Sequence, residues 1–313
     1  MAYAQGDVIL RDHYNTFATG SASGSANHAV ANINTVWGVG NGSYGYGQST
    51  TLSAVAAGDT VTATQWATMI ARLDTMKTHR TGSGTGLTSP TAGDIITYLS
   101  ALSGHVDSAY NNRSSFTARS SVTSDSTRNG TWTSSAPTTF TQVRTVTFQD
   151  ADKMRYFFNG GGRLTLKLAA TGAAGTTKET NWVNLINNGV GSVNLDFTTS
   201  ARTGSQETLT NNGSATGFWD LTGSNQTLVR VTQDTAPYTG SYVDVFASVS
   251  GAAGSNGGLG TAIAFTVVYT DDGSSTFNDN ISLTINCNVD IYKPEVTNLS
   301  DVWGTITVAS TTN

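Results

Sequence analysis

The sequence predicts an α+β protein, with a small helical N-terminal domain followed by an antiparallel β-sandwich of jelly-roll or immunoglobulin-like form. Three observations carry this. Up to about residue 112 the apolar residues recur every three or four positions, and from residue 141 they recur every second one. Between them, residues 113–140 show no helical period and pass into extended structure. Side chains three or four apart share one face of a helix, whereas alternate residues share one face of a strand. The chain therefore divides into 1–112, a Gly-loop-rich helical docking or assembly domain, 113–140, a linker in extended structure, and 141–313, the sandwich.

In the helical part, "NHAVANINTVW" sets Val30, Ile33 and Trp37 on one stripe. "TATQWATMIARLDTMK" is the strongest helix signal. Thr62 and Gln65 have the spacing of a capping box, and Trp66, Met69, Ile70, Leu73 and Met76 or Lys77 come after them on one face. "GDIITYLSALSGHVDSAYNNR" adds Ile95, Leu99, Leu102 and Val106, with Gly93 and Asp94 supplying the break and a cap. Glycine-rich loops, "GVGNGSYGYGQST" and "RTGSGTGLTSP", separate these segments.

The sandwich strands are read from alternation. "TQVRTVTF" alternates. "RLTLKL" sets Leu164, Leu166 and Leu168 on one face, and "SVNLDF" does the same for Val193, Leu195 and Phe197. "YVDVFASV" and "AIAFTVVY" place Val243, Val245, Ala247 and Val249, and Ile263, Phe265, Val267 and Tyr269. In "ISLTINCNVDI" six apolar residues, Ile281 to Ile291, face one way and Ser, Thr, Asn, Asn and Asp the other. That is a half-buried antiparallel strand. A sandwich and a flattened barrel share this alternation, so strand order stays open.

Bulk composition narrows the function classes. Charged residues are 12% of 313, against about 25% in an ordinary globular chain. The formal charge is −5 and no Lys/Arg cluster offers a track for phosphates, so nucleic acid is not an expected partner. The single Cys287 allows no intramolecular disulfide. "MAYAQGDVILRDHYN" is too polar for a signal peptide, and no apolar run has membrane-spanning length. A Gly/Ser/Thr/Asn surface without a visible secretion signal is reconciled by a protein made in a host cytoplasm and released by lysis, which points to a virus particle.

In "RYFFNGGGRLTLKL" a phosphate cradle needs a helix N-terminus after the glycines, and a Walker loop needs Lys with Ser or Thr. The glycines lead instead into Arg163 and a strand, so Asn159-Gly160 is read as a hairpin turn between two strands. Gly40, Gly42 and Gly45 form a G-x-G-x-x-G with no βαβ unit around it. Tyr44 and Tyr46 make that loop either a subunit contact or a plain exposed loop. His13, His28, His79 and His105 are scattered without metal spacing, with His105 placed near the Leu102–Val106 face as a packed or rim histidine. No nucleophile, base and orienter are visible together. Acidic residues of the back half include Asp150, Asp152, Asp220, Asp234, Asp244, Asp271, Asp272 and Asp279, and a carboxylate pair for sugar cleavage could be assembled from distant ones. Asp271, Asp272 and Asp279 share one loop whose oxygens could hold Ca²⁺, although Asp272-Gly273 is explained as a turn. Trp182 and Phe218-Trp219 are read as core against loops, with a glycan platform as the alternative. No catalytic, cofactor-binding or metal residue is assigned.

"DADKMRYFFNGGGRLTLKLA" followed by "KETNWVNLINNGVGSV" resembles virion structural proteins of tailed bacteriophages, in which an aromatic-Phe-Asn-x-Gly-Gly turn precedes an Asn-x-Trp segment. "RDHYNTF", "NGSYGYGQ", "GDTVTATQW" and "HRTGSG" resemble the N-terminal region of the same proteins, and together the matches cover about half the chain. The resemblance implies a particle component, associated with tail, neck or fibre, without catalytic residues or cofactor. Expected partners are copies of itself, in a closed homo-oligomer such as a trimer, and other virion proteins. No heptad run supplies a coiled-coil shaft. The alternatives are a receptor-binding module for a host-surface glycan, using Trp182 and Trp219, and then a polysaccharide depolymerase.

Overall fold

The computed structural model describes residues 10–20, 28–38, 45–125, 128–134, 138–173, 175–212, 215–251, 259–273 and 279–312. In chain order the helices are α1 (Arg11–Thr19), α2 (Ile33–Trp37), α3 (Ala63–Thr81), α4 (Leu99–Asn111), α5 (Ala151–Asn159) and α6 (Thr177–Asn184). The strands are β1 (Arg119–Ser124), β2 (Arg128–Ser134), β3 (Thr139–Phe148), β4 (Arg163–Gly172), β5 (Ser192–Leu195) and β6 (Ser200–Arg202), then β7 (Thr208–Asn212), β8 (Gln226–Thr232), β9 (Tyr242–Val249), β10 (Ala262–Thr270), β11 (Ile281–Pro294) and β12 (Ile306–Thr312). The fold is α+β, as the two periods predict, with a helical N-terminal part and two antiparallel sheets.

The chain forms two compact units. The helical unit is Met1–Ser120 together with Arg155–Gly161 and Pro294–Val302. The sandwich unit is Ser121–Met154, Gly162–Lys293 and Trp303–Asn313. The stretch read as a linker holds β1 and β2, which belong to one of the sheets.

In the helical unit α3 forms where its period requires. Thr62 and Gln65 make the capping box, and Trp66, Met69, Ile70, Leu73 and Met76 are all buried. Two other helices differ from the sequence reading. α2 begins only at Ile33, because the Asn32 side chain accepts the Thr35 amide at 3.0 Å and ends the preceding turn. Val30 thus lies outside the helix and is half exposed. α4 begins at Leu99 rather than after Asp94, whose carboxylate instead accepts the Thr91 amide at 2.7 Å and closes a turn. The residue buried before α4 is Ile96, while Ile95 is exposed.

The hairpin read at Asn159-Gly160 is also corrected. "ADKMRYFFN" is the helix α5, and only the glycines and the strand after them are as expected. Asp150 accepts the Lys153 amide at 2.8 Å as an N-cap, and Met154, Phe157 and Phe158 form a buried stripe at helical spacing. The Gly160 amide donates to Tyr156 O at 2.9 Å. Gly161, at φ +95°, then turns the chain into β4, a conformation natural to glycine.

In the sandwich unit one sheet, which curls into a half-barrel, has the order β1-β11-β4-β5-β6 with β2 also on β11. The other, flat, sheet runs β12-β3-β10-β9-β8-β7. The apolar faces read from β4, β9, β10 and β11 are buried as expected, but Phe197 falls beyond β5 and is half-buried. The buried face of β3 is Phe140, Gln142, Arg144, Val146 and Phe148, so two polar side chains point into the core. Gln142 Nε2 donates across the sandwich to Ile285 O at 3.3 Å and its Oε1 accepts from Tyr269 Oη at 3.0 Å. Arg144 donates to Asp125 at 3.0 Å and to the Cys287 carbonyl. The apolar part of the core centres on Trp132, 4.8 Å from Trp182 and 6.1 Å from Phe140.

Candidate functional site

The helical unit holds a cleft of about 410 Å³ lined by Tyr14, Thr50, Thr51, Leu52, Ser53, Thr62, Thr64, Gln65, Thr68 and Arg72. Its construction starts from α3. Thr64, Thr68 and Arg72 are four residues apart and share a stripe beside the apolar one, so the helix that fills the core also presents a polar rail. The facing wall is the segment 50–53, which belongs to no helix or strand. Its first residue, Thr50, has φ +63°, a left-handed conformation that a β-branched residue adopts only under constraint. The constraint is visible: both terminal nitrogens of Arg72 donate to Thr50, one to its carbonyl and the other to Oγ1 at 3.3 Å.

Arg72 is fixed from a second side. Its guanidinium lies 4.9 Å from the ring centre of Trp37, a cation–π contact, and Trp37 Nε1 donates to Ser49 O at 3.0 Å. Burial lowers the Arg72 pKa and the Tyr14 phenol opposes that, while burial raises Tyr14 and Arg72 pulls it back. The cleft thus offers hydroxyls, one amide and one pre-oriented guanidinium. Among the described residues no carboxylate, histidine or cysteine lines it, and the groups that do are suited to hydrogen bonding a polar ligand. Sequence reasoning missed this site. The signal available was the Thr64–Thr68–Arg72 rail; the facing segment 50–53 has none.

The residues singled out from sequence are not brought together. His28 is buried, its Nδ1 donating to Ala31 O and its Nε2 accepting from Ser103 Oγ, both at 2.9 Å. His79 is buried and its Nδ1 meets Glu295 Oε1 at 2.9 Å. Burial lowers the His79 pKa below the ordinary value, and the Glu295 bond only partly restores it. Burial would raise Glu295, but bonds from His79, Asn298 and Thr297 outweigh it and hold the carboxyl at about 2. His13 and His105 are half-buried.

Tyr46, placed by sequence in a loop that is either a subunit contact or plainly exposed, is fully buried and its hydroxyl donates to Arg113 O at 2.7 Å, so it presents no surface for either. Tyr44, Gly40 and Gly42 lie outside the described residues. Burial pushes the Cys287 thiol up to about 12, so little thiolate exists near neutrality.

The carboxylates are engaged locally. Asp220 accepts the Gly217 amide, Asp244 takes Arg230 in a bidentate pair, and Asp271 pairs with Lys178 at 2.6 Å in the core. Asp279 accepts the Tyr238 hydroxyl and Asp272 the Ser241 hydroxyl. Among the described residues no group of three or more His, Cys, Asp or Glu is placed to hold a metal ion. Trp182 and Trp219 are 1% and 7% exposed, with Trp182 on α6 rather than beside a turn, so neither ring faces a glycan. Among the described residues no helix is long and apolar enough to cross a membrane. In comparisons with known proteins, no family model, no curated protein and no solved structure matches this chain.

Proposed function

We propose that the protein is a non-enzymatic structural component of a tailed-phage virion, associated with tail, neck or fibre. It docks through its helical unit, assembles with copies of itself, and displays or packs its β-sandwich. The observation that supports this best is the way the helical unit is completed. Residues 155–161 and 294–302 return to it from the second half of the chain. Asn159 Nδ2 donates to Gly45 O at 2.7 Å, Gln48 exchanges two bonds with Ser300 at 2.8 and 3.1 Å, and Glu295 receives His79. A unit closed by segments drawn from three separate parts of the chain is not held by consecutive residues alone, which suits a load-bearing part of a particle better than a processive or shuttling role.

The test is immunogold electron microscopy of lysate particles with antibody to residues 141–313. Label on neck, tail or fibre is the expected result; clean particles would overturn the proposal. A second reading, a module for a host-surface glycan, is favoured by the hydroxyl-lined cleft and the guanidinium of Arg72 that lines it. Replacing Arg72 with Ala would then abolish adsorption of particles that assemble normally, and undiminished adsorption would remove that reading.

A further inference from the structure

The four outer boundaries of the two sheets are not alike. The curled sheet ends in β1 and β2, which start with Arg119 and Arg128, and in β6, which has three residues and ends in Arg202. In the flat sheet, β7 is interrupted by a bulge between Leu209 and Asn211. Charge, shortness and bulges are the usual means of blunting an edge. The remaining edge, β12, has none of them. "ITVASTT" carries no charge and no proline, and it pairs with β3 in unbroken register from Ile306↔Phe148 to Thr312↔Gln142.

The ladder shows which groups of β12 are unused. The Phe148 amide donates to Thr261 O, on the β10 side of β3. In an antiparallel strand the N–H and C=O of one residue point the same way and alternate along the chain. Thr147, Thr145 and Val143 therefore point towards β12 and bond Thr307, Ala309 and Thr311. The backbone groups of Ile306, Val308, Ser310 and Thr312 point away from the sheet, where no other described strand lies.

We propose that this edge is a homodimer interface, with β12 of one copy pairing antiparallel to β12 of a second copy about a two-fold axis at Ala309. That register is the one in which the strand completes itself: Ile306 faces Thr312 and Val308 faces Ser310, so every outward donor and acceptor meets its counterpart. No like charges oppose one another across that pairing. The contact is isologous and closes at two copies, joining two six-stranded sheets edge to edge. The inference goes beyond the virion reading and stands or falls separately from it, because it concerns the purified chain.

The test is the mass of the full chain in solution, with three variants. Wild type should run at twice 32.6 kDa in light scattering after gel filtration. Val308→Pro removes one outward N–H without touching the β3 ladder, and should halve the mass while keeping the circular dichroism. Ala309→Cys should form a covalent dimer on a non-reducing gel. The axis brings its two copies opposite each other as a non-hydrogen-bonded pair, with Cα atoms about 4.5 Å apart, within disulfide reach. Thr307→Cys, opposite Thr311, should not crosslink; the native Cys287 is buried and adds no background. A monomeric or trimeric wild type, an unchanged mass for Val308→Pro, or equal crosslinking of the two cysteine variants would overturn the proposal. Should Val308→Pro not fold, the cysteine pair decides alone.

Discussion

Glu295, like Ser300, fastens the returning segment 294–302 to the rest of the helical unit, and Glu295→Gln tests its share of that fastening. The wild-type carboxylate is 7% exposed and accepts from His79, from Asn298 Nδ2 at 2.9 Å and from the Thr297 amide at 2.6 Å. Its pKa of about 2, against 4.5 when free, corresponds to about 3 kcal/mol of preference for the ionised form in the folded state, at about 1.4 kcal/mol per pH unit. Glutamine keeps the shape and one acceptor, so a loss of about 2 kcal/mol at neutral pH is expected. The sign is definite. A carboxyl with a depressed folded pKa stabilises fully above 4.5, and that stability is lost as pH falls towards 2. The gap between wild type and variant should therefore narrow over that window. His79, lowered from 6.5, adds a separate acid-side loss, because the unfolded chain takes up a proton below 6.5 that the folded one refuses. The assay is urea unfolding followed by circular dichroism from neutral pH downwards. An equal deficit at every pH would show that the variant damages packing and not a charged bond, and no deficit at neutrality would refute the fastening itself.

Three further outcomes are expected. A chain truncated to residues 1–120 should not reach a cooperatively folded state, since it lacks the buried Phe157, Phe158 and Leu299; a sharp thermal transition in calorimetry would contradict this. Arg144→Met should cost about 3–5 kcal/mol because Asp125 is left without its buried partner, while Arg144→Met with Asp125→Asn should recover most of the loss; the comparison is a double-mutant cycle in urea. Thr62→Ala should lower stability by about 1 kcal/mol through loss of the α3 capping box, read as a reduced unfolding midpoint with unchanged denaturant slope.

The sequence by itself determined whatever depends on neighbours within a few residues. The α3 boundary, its core stripe and the inward faces of β4, β9, β10 and β11 were legible because a cap and a period are local and each was uninterrupted. The same logic misread α5, since the three aromatics before Asn-Gly suit a strand as well as a helix, and what decided was the Asp150 cap together with burial of Met154, Phe157 and Phe158. It passed over β12 and β8, whose short runs become strands only beside β3 and β9. The polar inward face of β3 was likewise hidden. Arg144 and Gln142 can be buried there only because Asp125, the Cys287 carbonyl, Ile285 O and Tyr269 come from elsewhere to meet them. The cleft is of that kind too. The Thr64–Thr68–Arg72 rail is written in α3, but the strained Thr50 facing it exists because Arg72, distant in the chain, reaches across to hold it. Tertiary structure alone decided which segments return to complete the helical unit and which strands border each sheet. Those depend on pairing between distant residues, and no local period records a distant partner.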